Sequence, residues 1–193
     1  MQNDPLRSVV AFHLAQADTP LVTLARGVGI CWLRLGGLMS SVTERIVIDG
    51  AAVDDLRASF RGELVGPEDA GYDECRKVWN GSIDRSPGLI ARCAGAEDVV
   101  TALRFARAHD VLISVRGGGH NVTGNAVCDG GLMIDLSPMK AAHVDPPLRT
   151  ITAEPGLTWK DFDTATLRHG LATTGGIISS TGVAGLTLGG GHG

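Results

Sequence analysis

A glycine-rich stretch that ends in a histidine is the clearest candidate for chemistry in this sequence. The hexapeptide RGGGHN occupies residues 116–121 and directly follows the apolar run Val111–Val115. Three consecutive glycines leave backbone N–H groups free to converge on an anion such as a pyrophosphate, and they place no side chain in the way of a flat ring. His120 adds a ring nitrogen that is a nucleophile when the imidazole is neutral. Taken alone, the stretch also fits a flexible turn with an ordinary surface histidine.

A second glycine-rich block stands at the C-terminal end of the chain. It runs from Gly182 to Gly193 (GVAGLTLGGGHG), and the pair Gly175-Gly176 follows two threonines just upstream. Glycine and hydroxyl residues in this pattern suit close backbone contact with a phosphate-bearing cofactor. The alternative for this block alone is a turn-rich connection between strands.

Several standard motifs are absent, which argues against competing classes of site. A dinucleotide-binding G-x-G-x-x-G that began at Gly117 would need glycine in place of Val122, and no P-loop pattern occurs. No G-x-S-x-G elbow is present, which disfavours an α/β-hydrolase. The histidines show neither HxxxH nor HExxH spacing, so we expect no metal site. Asp135 ends an apolar run, where a solvated or turn-capping role is favoured over acid–base chemistry.

The elements that would position the first block have the spacing of a strand–helix–strand unit. Leu89–Cys93 is a short apolar run, and three apolar residues share one face of the helical pattern that follows it. Val111–Val115 is a second apolar run, so we expect a pair of parallel strands joined by the helix. A further strand is expected at Leu132–Leu136.

The second half of the chain has a different pattern. The runs on either side of Asp145-Pro146-Pro147 indicate a β-hairpin. Thr158 and Asp161 match a capping box, which opens a helix that ends before Gly170. Upstream of both halves, residues 51–64 carry apolar side chains at helical spacing. The whole pattern predicts an α+β fold in which a small parallel βαβ part precedes an antiparallel part.

Composition narrows the class of protein. The 193 residues are 44% hydrophobic and 20% charged, which is typical of a soluble globular chain. A formal net charge of −4 without a basic face argues against a nucleic-acid partner. The four cysteines form no CxxC pair, so we expect reduced thiols and a cytoplasmic location.

The N-terminal region is the least regular part of the sequence. Its apolar residues 21–43 are interrupted by Arg26, Arg34 and several glycines, so a membrane-spanning helix is not expected. The expected divisions of the chain are a poorly ordered leader (1–44), a helical segment (45–85) and the main domain (86–193).

Four sequence blocks in the main domain carry a resemblance to a known family. They are SVRGGGHNVTGN (Ser114–Asn125), CDGGLMIDLSPMK (Cys128–Lys140), EPGLTWKDFD (Glu154–Asp163) and TTGGIISSTGVAGLTLGGGHG (Thr173–Gly193). In this order they are similar to the N-terminal FAD-binding part of the berberine-bridge-enzyme-like oxidases. Those enzymes belong to the vanillyl-alcohol-oxidase/PCMH-type flavoproteins. The resemblance covers about Pro87 to Gly193.

The resemblance implies a PCMH-type FAD-binding domain that is truncated before the family's substrate domain. It places the pyrophosphate of FAD on the glycine loop and a covalent bond between His120 and the 8α-methyl group of the flavin. Some members have a second link through cysteine, and the matching position here is Ile178. The residues that the resemblance places around the cofactor are Arg116, Gly117, Gly118, Gly119, His120, Asn121, Thr181, Gly182, Gly185, Gly190 and Gly191.

The same resemblance implies an FAD-dependent oxidoreductase with oxidase-like chemistry. Hydride from a small organic substrate, such as an alcohol or a sugar, would pass to flavin N5 and the electrons would go on to oxygen. Family members run to several hundred residues, so the catalytic base is expected in a C-terminal part that this chain lacks. An apolar face open toward that part predicts self-association. The alternative is a non-catalytic flavin-binding remnant of such an enzyme.

Overall fold

The structure, a computed structural model, describes residues 10–13 and 48–191 of the chain. Most of the predicted leader over residues 1–44 lies outside the described residues, but Val10–His13 forms a strand. The elements in chain order are β1 (Val10–His13), α1 (Gly50–Ser59), β2 (Glu63–Val65), α2 (Tyr72–Arg76), β3 (Leu89–Arg92), α3 (Ala96–Ala108), β4 (Ile113–Arg116), β5 (Leu132–Asp135), β6 (Ala142–Asp145), β7 (Thr150–Ala153), α4 (Trp159–Leu167) and α5 (Val183–Gly189).

A four-stranded sheet in the order β2-β3-β5-β4 carries the first glycine block at the end of its edge strand β4. Strands β3 and β4 both run parallel to β5, and β2 pairs antiparallel with β3. The strand–helix–strand prediction is therefore right in direction but wrong in pairing, because β5 lies between the other two strands. The run Leu132–Ile134 explains this position, since successive buried side chains suit a central strand that is covered on both faces.

Helix α3 covers one face of this sheet. Its side chains Ala102, Phe105 and Ala106 are buried in one cluster with Leu132 and Ile134 of β5. Acidic residues in the first turn of α3 and a basic residue in its last turn complement the helix dipole. The helix therefore fixes the sheet whose edge carries the glycine loop.

Asp98, a buried carboxylate in the first turn of α3, determines where the N-terminal helix ends. It accepts hydrogen bonds from the backbone N–H groups of Arg61 and Gly62 at 2.9 and 3.0 Å. Those amides would otherwise continue α1, so the helix predicted over residues 51–64 stops at Ser59. The chain then enters β2, and the segment predicted to be helical also adds an edge strand to the sheet.

The second part of the fold is an antiparallel sheet in the order β1-β7-β6, with α4 packed beside β6. The predicted hairpin is confirmed by the pairing of β6 with β7. The predicted capping box is also confirmed, because Thr158 and Asp161 each accept a hydrogen bond from the other's backbone N–H group. Gly170 follows the helix with a φ of +64°, as expected of a helix stop.

The chain after Gly182 forms the short helix α5, which the sequence pattern did not predict. Val183 is buried with Trp159 and Phe162, and Leu186 packs one turn further on against the same cluster. The Val183 N–H group donates to the carbonyl oxygen of Leu157 at 2.9 Å, which fixes the start of the helix. The apolar spacing of i and i+3 was present in the sequence, but the surrounding glycines have low helix propensity and obscured it.

Candidate functional site

The two glycine-rich blocks meet in space. A Cβ atom added to Gly118 would lie 2.4 Å from the backbone nitrogen of Gly182, and one added to Gly182 would lie 2.5 Å from that of Gly118. Real Cβ atoms do not approach backbone atoms so closely, so both positions require glycine. Gly119 has a φ of +70°, which also favours glycine. The sequence suggested that these glycines allow close contact with a cofactor. At Gly118 and Gly182, the close contact is between two segments of the chain itself.

The loop after β4 presents a row of unused hydrogen-bond donors. Within residues 48–191, the backbone N–H groups of Gly117 to Asn121 donate to no acceptor. Successive free amides of this kind form a donor set that suits an anion. Gly117 to Gly119 line a cleft of about 200 Å³ whose other walls include Lys77 and Lys140. Both ammonium groups already have a carboxylate partner, Lys77 in Glu74 at 2.6 Å and Lys140 in Asp161 at 3.8 Å. The free amides are therefore the feature of the cleft that best matches a pyrophosphate.

Arg116 uses its side chain to hold this loop in place. The guanidinium forms a bidentate pair with Asp135, with N–O distances of 3.0 and 2.8 Å. It also donates to the carbonyl oxygens of Cys75 and Lys77, at 2.6 and 2.9 Å. Only 12% of the Arg116 side chain is exposed, so it is a poor candidate for direct contact with a phosphate. Its role in the predicted site is to connect the loop to the C-terminal end of α2.

The position of Asp135 distinguishes the two roles that the sequence predicted for its carboxylate, solvation and turn capping. The carboxylate is fully buried, so the solvated alternative is wrong. Besides pairing with Arg116, it accepts hydrogen bonds from the backbone N–H and the hydroxyl of Ser137, both at 3.0 Å. The turn-capping alternative is confirmed. The sequence did not indicate this ion pair, because its two residues are 19 positions apart and meet only when β4 pairs with β5.

His120 lies where the two glycine blocks meet. Its Nε2 atom is 3.2 Å from the Ser180 hydroxyl, and its Nδ1 atom is 3.4 Å from the Thr181 hydroxyl. Burial lowers the pKa of the imidazole below its usual value. The neutral ring therefore dominates at neutral pH, and one of its nitrogens keeps a free lone pair. That nitrogen can act as a nucleophile.

Trp79 belongs to the candidate site, although nothing in the sequence pattern indicated it. Its indole stacks on the imidazole of His120 with ring centroids 5.0 Å apart and an angle of 20° between the planes. Its backbone N–H donates to the carbonyl oxygen of Gly119 at 3.0 Å. The side chain is 64% exposed despite these contacts. A large aromatic residue held open to solvent beside a nucleophile is consistent with a surface that binds a ring.

The other predicted site residues fall into two groups. Asn121 shapes the loop, since its side-chain oxygen accepts from the Thr123 hydroxyl at 2.8 Å and from the Asn125 N–H group at 2.9 Å. In α5 and just after it, a Cβ at Gly185 or Gly190 would meet nothing within 4 Å.

Gly191 and Ile178 are the remaining positions that the resemblance places near the cofactor. A Cβ on Gly191 would lie 3.3 Å from the Leu186 side chain, which is a tight contact. Ile178, the position matched to a second covalent link, is an exposed aliphatic side chain and cannot form that link.

Two other kinds of site find no support in the part of the chain that the structure describes. Residues 10–13 and 48–191 contain no group of three or more His, Cys, Asp or Glu side chains that could hold a metal ion. In the same residues, no helix is both long enough and apolar enough to cross a bilayer.

A parallel part and an antiparallel part, with donor-rich glycine loops between them, are the architecture of a PCMH-type FAD-binding domain. The residues fit this cofactor, because the free amides of the loop suit its pyrophosphate and the neutral imidazole suits its reactive methyl group. The family model described as an FAD binding domain matches residues 87–193, and the chain belongs to that family. Its structural neighbours include a berberine-bridge-enzyme-like protein with a PCMH-type fold.

Individual relatives agree with the family match. The (R)-6-hydroxynicotine oxidase of Paenarthrobacter nicotinovorans is 38% identical over 135 residues, which are 70% of this chain and 30% of the relative. The crystal structure of 6-hydroxy-D-nicotine oxidase from Arthrobacter nicotinovorans gives a TM-score of 0.65 at 37% identity, over 66% of this chain and 28% of that chain. BBE-like 1 of Physcomitrella patens shares the fold, with a TM-score of 0.67 at 21% identity over 71% of this chain and 30% of that chain. The chain thus spans about 30% of the length of these relatives.

Proposed function

We propose that this chain is the flavin-binding part of an FAD-linked oxidoreductase and that His120 bonds covalently to the flavin. One observation carries the proposal: a histidine with a lowered pKa lies at the end of a loop of free amides. The amides and the imidazole would serve two distant parts of the same cofactor, its pyrophosphate and its ring. A surface histidine on a flexible turn would need neither the free amides nor the stacked indole of Trp79.

The loop and its lysines would bind the pyrophosphate. The N–H groups of Gly117 to Asn121 have no partner in residues 48–191, so they can donate to phosphate oxygens without breaking an existing hydrogen bond. Lys77 and Lys140 line the same cleft and would offset the negative charge. The Arg116–Asp135 pair would keep the loop in this shape before the cofactor arrives.

His120 would attach the flavin through one ring nitrogen. That nitrogen would form a C–N bond to the 8α carbon, with the loss of one imidazole proton and one methyl proton. The reaction would be a two-electron oxidation with dioxygen as the oxidant, which would become hydrogen peroxide. The stacked indole of Trp79 would keep the imidazole in one plane during this step.

When bound, FAD supplies the redox chemistry: it accepts a hydride at N5 and transfers two electrons to dioxygen. We propose a small organic substrate, such as an alcohol, an amine or a sugar. The relative that is 38% identical is named for a small molecule, 6-hydroxynicotine, which supports this class without identifying the substrate. No residue of this chain is assigned here as the base that removes the substrate proton.

A second candidate function is a flavin-binding module that does not turn over by itself. The observation that favours it is the exposure of apolar side chains near the candidate site. Ile177 is 97% exposed and Leu188 is 80% exposed. Large apolar side chains exposed to this degree are typical of a face that other protein covers. In this case the chain would hold FAD but would need a further polypeptide to oxidise a substrate, and it would self-associate without one.

The first experiment is an absorbance spectrum of the purified protein before and after acid denaturation. We expect a flavin spectrum that stays with the denatured wild-type chain and is lost from the chain in His120→Ala. His143→Ala is the matched control, since His143 is an exposed histidine on β6 that we expect to be irrelevant. A wild-type protein that releases all its flavin on denaturation would contradict covalent attachment. A wild-type protein that never binds FAD would contradict the proposed function as a whole.

A second measurement separates the two candidate functions. The flavin-loaded protein is screened for hydrogen peroxide release with alcohols, amines and sugars. Release with any of them supports the oxidase and rules out the non-catalytic module. Loading without turnover across the screen supports the module.

A further inference from the structure

Two hydroxyl groups contact the two ring nitrogens of His120, and together they can select which nitrogen reacts. The inference that follows rests on the proposed function. Ser180 Oγ lies 3.2 Å from Nε2, and Thr181 Oγ1 lies 3.4 Å from Nδ1. Neither the family match nor the relatives assign a role to either hydroxyl. Because a neutral imidazole has one N–H donor and one lone pair, the two hydroxyls must play opposite parts.

The distances favour one of the two tautomers. An ordinary N–H···O hydrogen bond spans about 2.7 to 3.2 Å between heavy atoms. The Ser180 contact of 3.2 Å falls at the end of that range and the Thr181 contact of 3.4 Å falls outside it. The ring proton is therefore better placed on Nε2, where Ser180 accepts it. The Thr181 hydroxyl can then direct its own proton toward the lone pair of Nδ1.

The surroundings of the two residues agree with these roles. The backbone of Thr181 is fixed on both sides, because its N–H donates to Ile178 at 3.1 Å and its carbonyl accepts from Trp159 at 3.0 Å. Ser180 is exposed to solvent, so its hydroxyl can pass a proton to water. Thr181 is half-buried and is less suited to that exchange.

We propose that Ser180 is a positioning residue for flavin attachment: it accepts the Nε2 proton of His120 and leaves Nδ1 as the nucleophile. In the attachment step, Nδ1 bonds to the 8α carbon, the methyl proton leaves, and the Nε2 proton passes through the Ser180 hydroxyl to water. The two electrons go to the flavin and then to dioxygen, giving hydrogen peroxide. The Thr181 hydroxyl loses its contact with Nδ1 as the new bond forms.

The tautomer can be read before any flavin is added. The nitrogen chemical shifts of histidine rings distinguish Nε2–H from Nδ1–H, and comparison with His120→Ala identifies the His120 signals. We expect wild-type apoprotein at pH 7.5 to show the Nε2–H form of His120. In Ser180→Ala, we expect loss of that preference. A wild-type ring protonated on Nδ1 would overturn the inference, whatever the fate of the covalent link.

Attachment rates provide the second test. Apoprotein is mixed with FAD, samples are denatured in acid over time, and protein-bound flavin fluorescence is read. We expect Ser180→Ala to attach flavin about tenfold more slowly, the order expected for the loss of one hydrogen bond to the reacting group. Ser180→Thr retains the hydroxyl and should recover most of the rate. Ser179→Ala is the matched control, since it removes the neighbouring exposed serine hydroxyl, and it should attach at the wild-type rate.

The outcomes separate this inference from the function on which it rests. Equal rates for wild type and Ser180→Ala would overturn the role of Ser180 and leave covalent attachment intact. Equal slowing in Ser180→Ala and Ser180→Thr would overturn it as well, because the hydroxyl would then not be the group that acts. Absence of covalent flavin in wild type would contradict the proposed attachment and this inference together. Non-covalent FAD affinity, measured by titration, should be the same in all the serine variants.

Discussion

Gly118, in the first glycine block, and Gly185, in the second, are glycines for different reasons. Gly118 requires glycine because the backbone of Gly182 fills the space where a side chain would go. Gly185 faces open space, and nothing within 4 Å would meet its Cβ atom. Glycine at Gly118 is explained by the folded chain alone. Glycine at Gly185 is not.

This difference separates a glycine that the packing of the chain requires from a glycine that the packing of the chain does not explain. Open space next to a helical glycine suggests a surface meant for close contact with a cofactor or with further protein. The resemblance places Gly185 and Gly190 along FAD. The contact of Gly118 with Gly182 would then support the site, whereas Gly185, like the free amides of the first block, would contact the cofactor. Substitutions in the two blocks should therefore affect different measurements.

The largest expected effect tests the support. Asp135→Ala leaves the Arg116 guanidinium buried without its carboxylate, and the loss of one partner of such a pair costs about 3–5 kcal/mol. We expect a large drop in the urea midpoint of unfolding, or failure to fold. Asp163→Ala, which removes an exposed carboxylate on α4, should change stability by less than about 0.5 kcal/mol. Similar stability for the two variants would mean that the pair does not hold the loop.

The next largest effect tests the contact between the blocks. Gly118→Ala places a methyl group 2.4 Å from the Gly182 nitrogen, and two backbones must move apart to admit it. We expect a loss of about 3 kcal/mol in the free energy of unfolding, or roughly 10 °C in Tm. Gly81→Ala is the control, because a Cβ there would meet nothing within 4 Å. An unchanged Tm in Gly118→Ala would show that the blocks do not touch.

The pH dependence of flavin attachment tests the environment of His120, which lies where the two blocks meet. Burial lowers the pKa of His120, and only the neutral ring can attack. The rate of covalent flavin attachment should therefore rise with pH and level off, with a midpoint below the ordinary histidine value of about 6.5. The measurement is the initial attachment rate between pH 5 and pH 8. A midpoint at or above that value would show that the ring is not held in a buried environment.

The smallest expected effect tests the contact surface. Gly185→Ala should stabilise the apoprotein slightly, by up to about 1 kcal/mol, because alanine is the better helix former and has open space there. The same methyl group should weaken FAD binding about tenfold if the flavin lies against this face. Thermal unfolding without FAD and a titration with FAD measure the two effects separately. A variant that binds FAD as wild type does would place the cofactor elsewhere.

The sequence predicted helices and turns well where residues close together in the chain determine where they begin. The capping box at Thr158 and the hairpin around Pro146-Pro147 depend on residues close in sequence, and both were confirmed. The α+β class followed from the change of pattern between the two halves. The PCMH-type fold came from the four blocks and is supported by the family match to residues 87–193.

Features that depend on distant residues could not be predicted in this way. The position of β5 between β3 and β4 depends on which strands pair with each other. The periodicity of apolar residues along one strand does not predict its partners. The end of α1 depends on Asp98, which lies 37 residues beyond Arg61. The burial of Asp135 depends on Arg116 in the neighbouring strand.

Within the candidate site, sequence reasoning selected His120 and Thr181 but not Trp79 or Ser180. Trp79 lies outside the four blocks, and Ser180 was only one hydroxyl among several in its segment. Their contacts with the imidazole appear only once the two halves of the chain are packed together. The roles of the predicted cofactor-binding residues stay predictions until FAD binding is measured.

The carbonyl oxygens of Cys75 and Lys77 that receive the Arg116 guanidinium lie before the family match begins at Pro87. The segment that the family model describes is therefore shorter than the segment that keeps the glycine loop in shape. A recombination event with its crossover at Pro87 would transfer every residue of the family model and leave behind the anchors of Arg116 and the indole on His120. The smallest segment that could be inherited as a working module, or grafted onto another protein, begins no later than Tyr72.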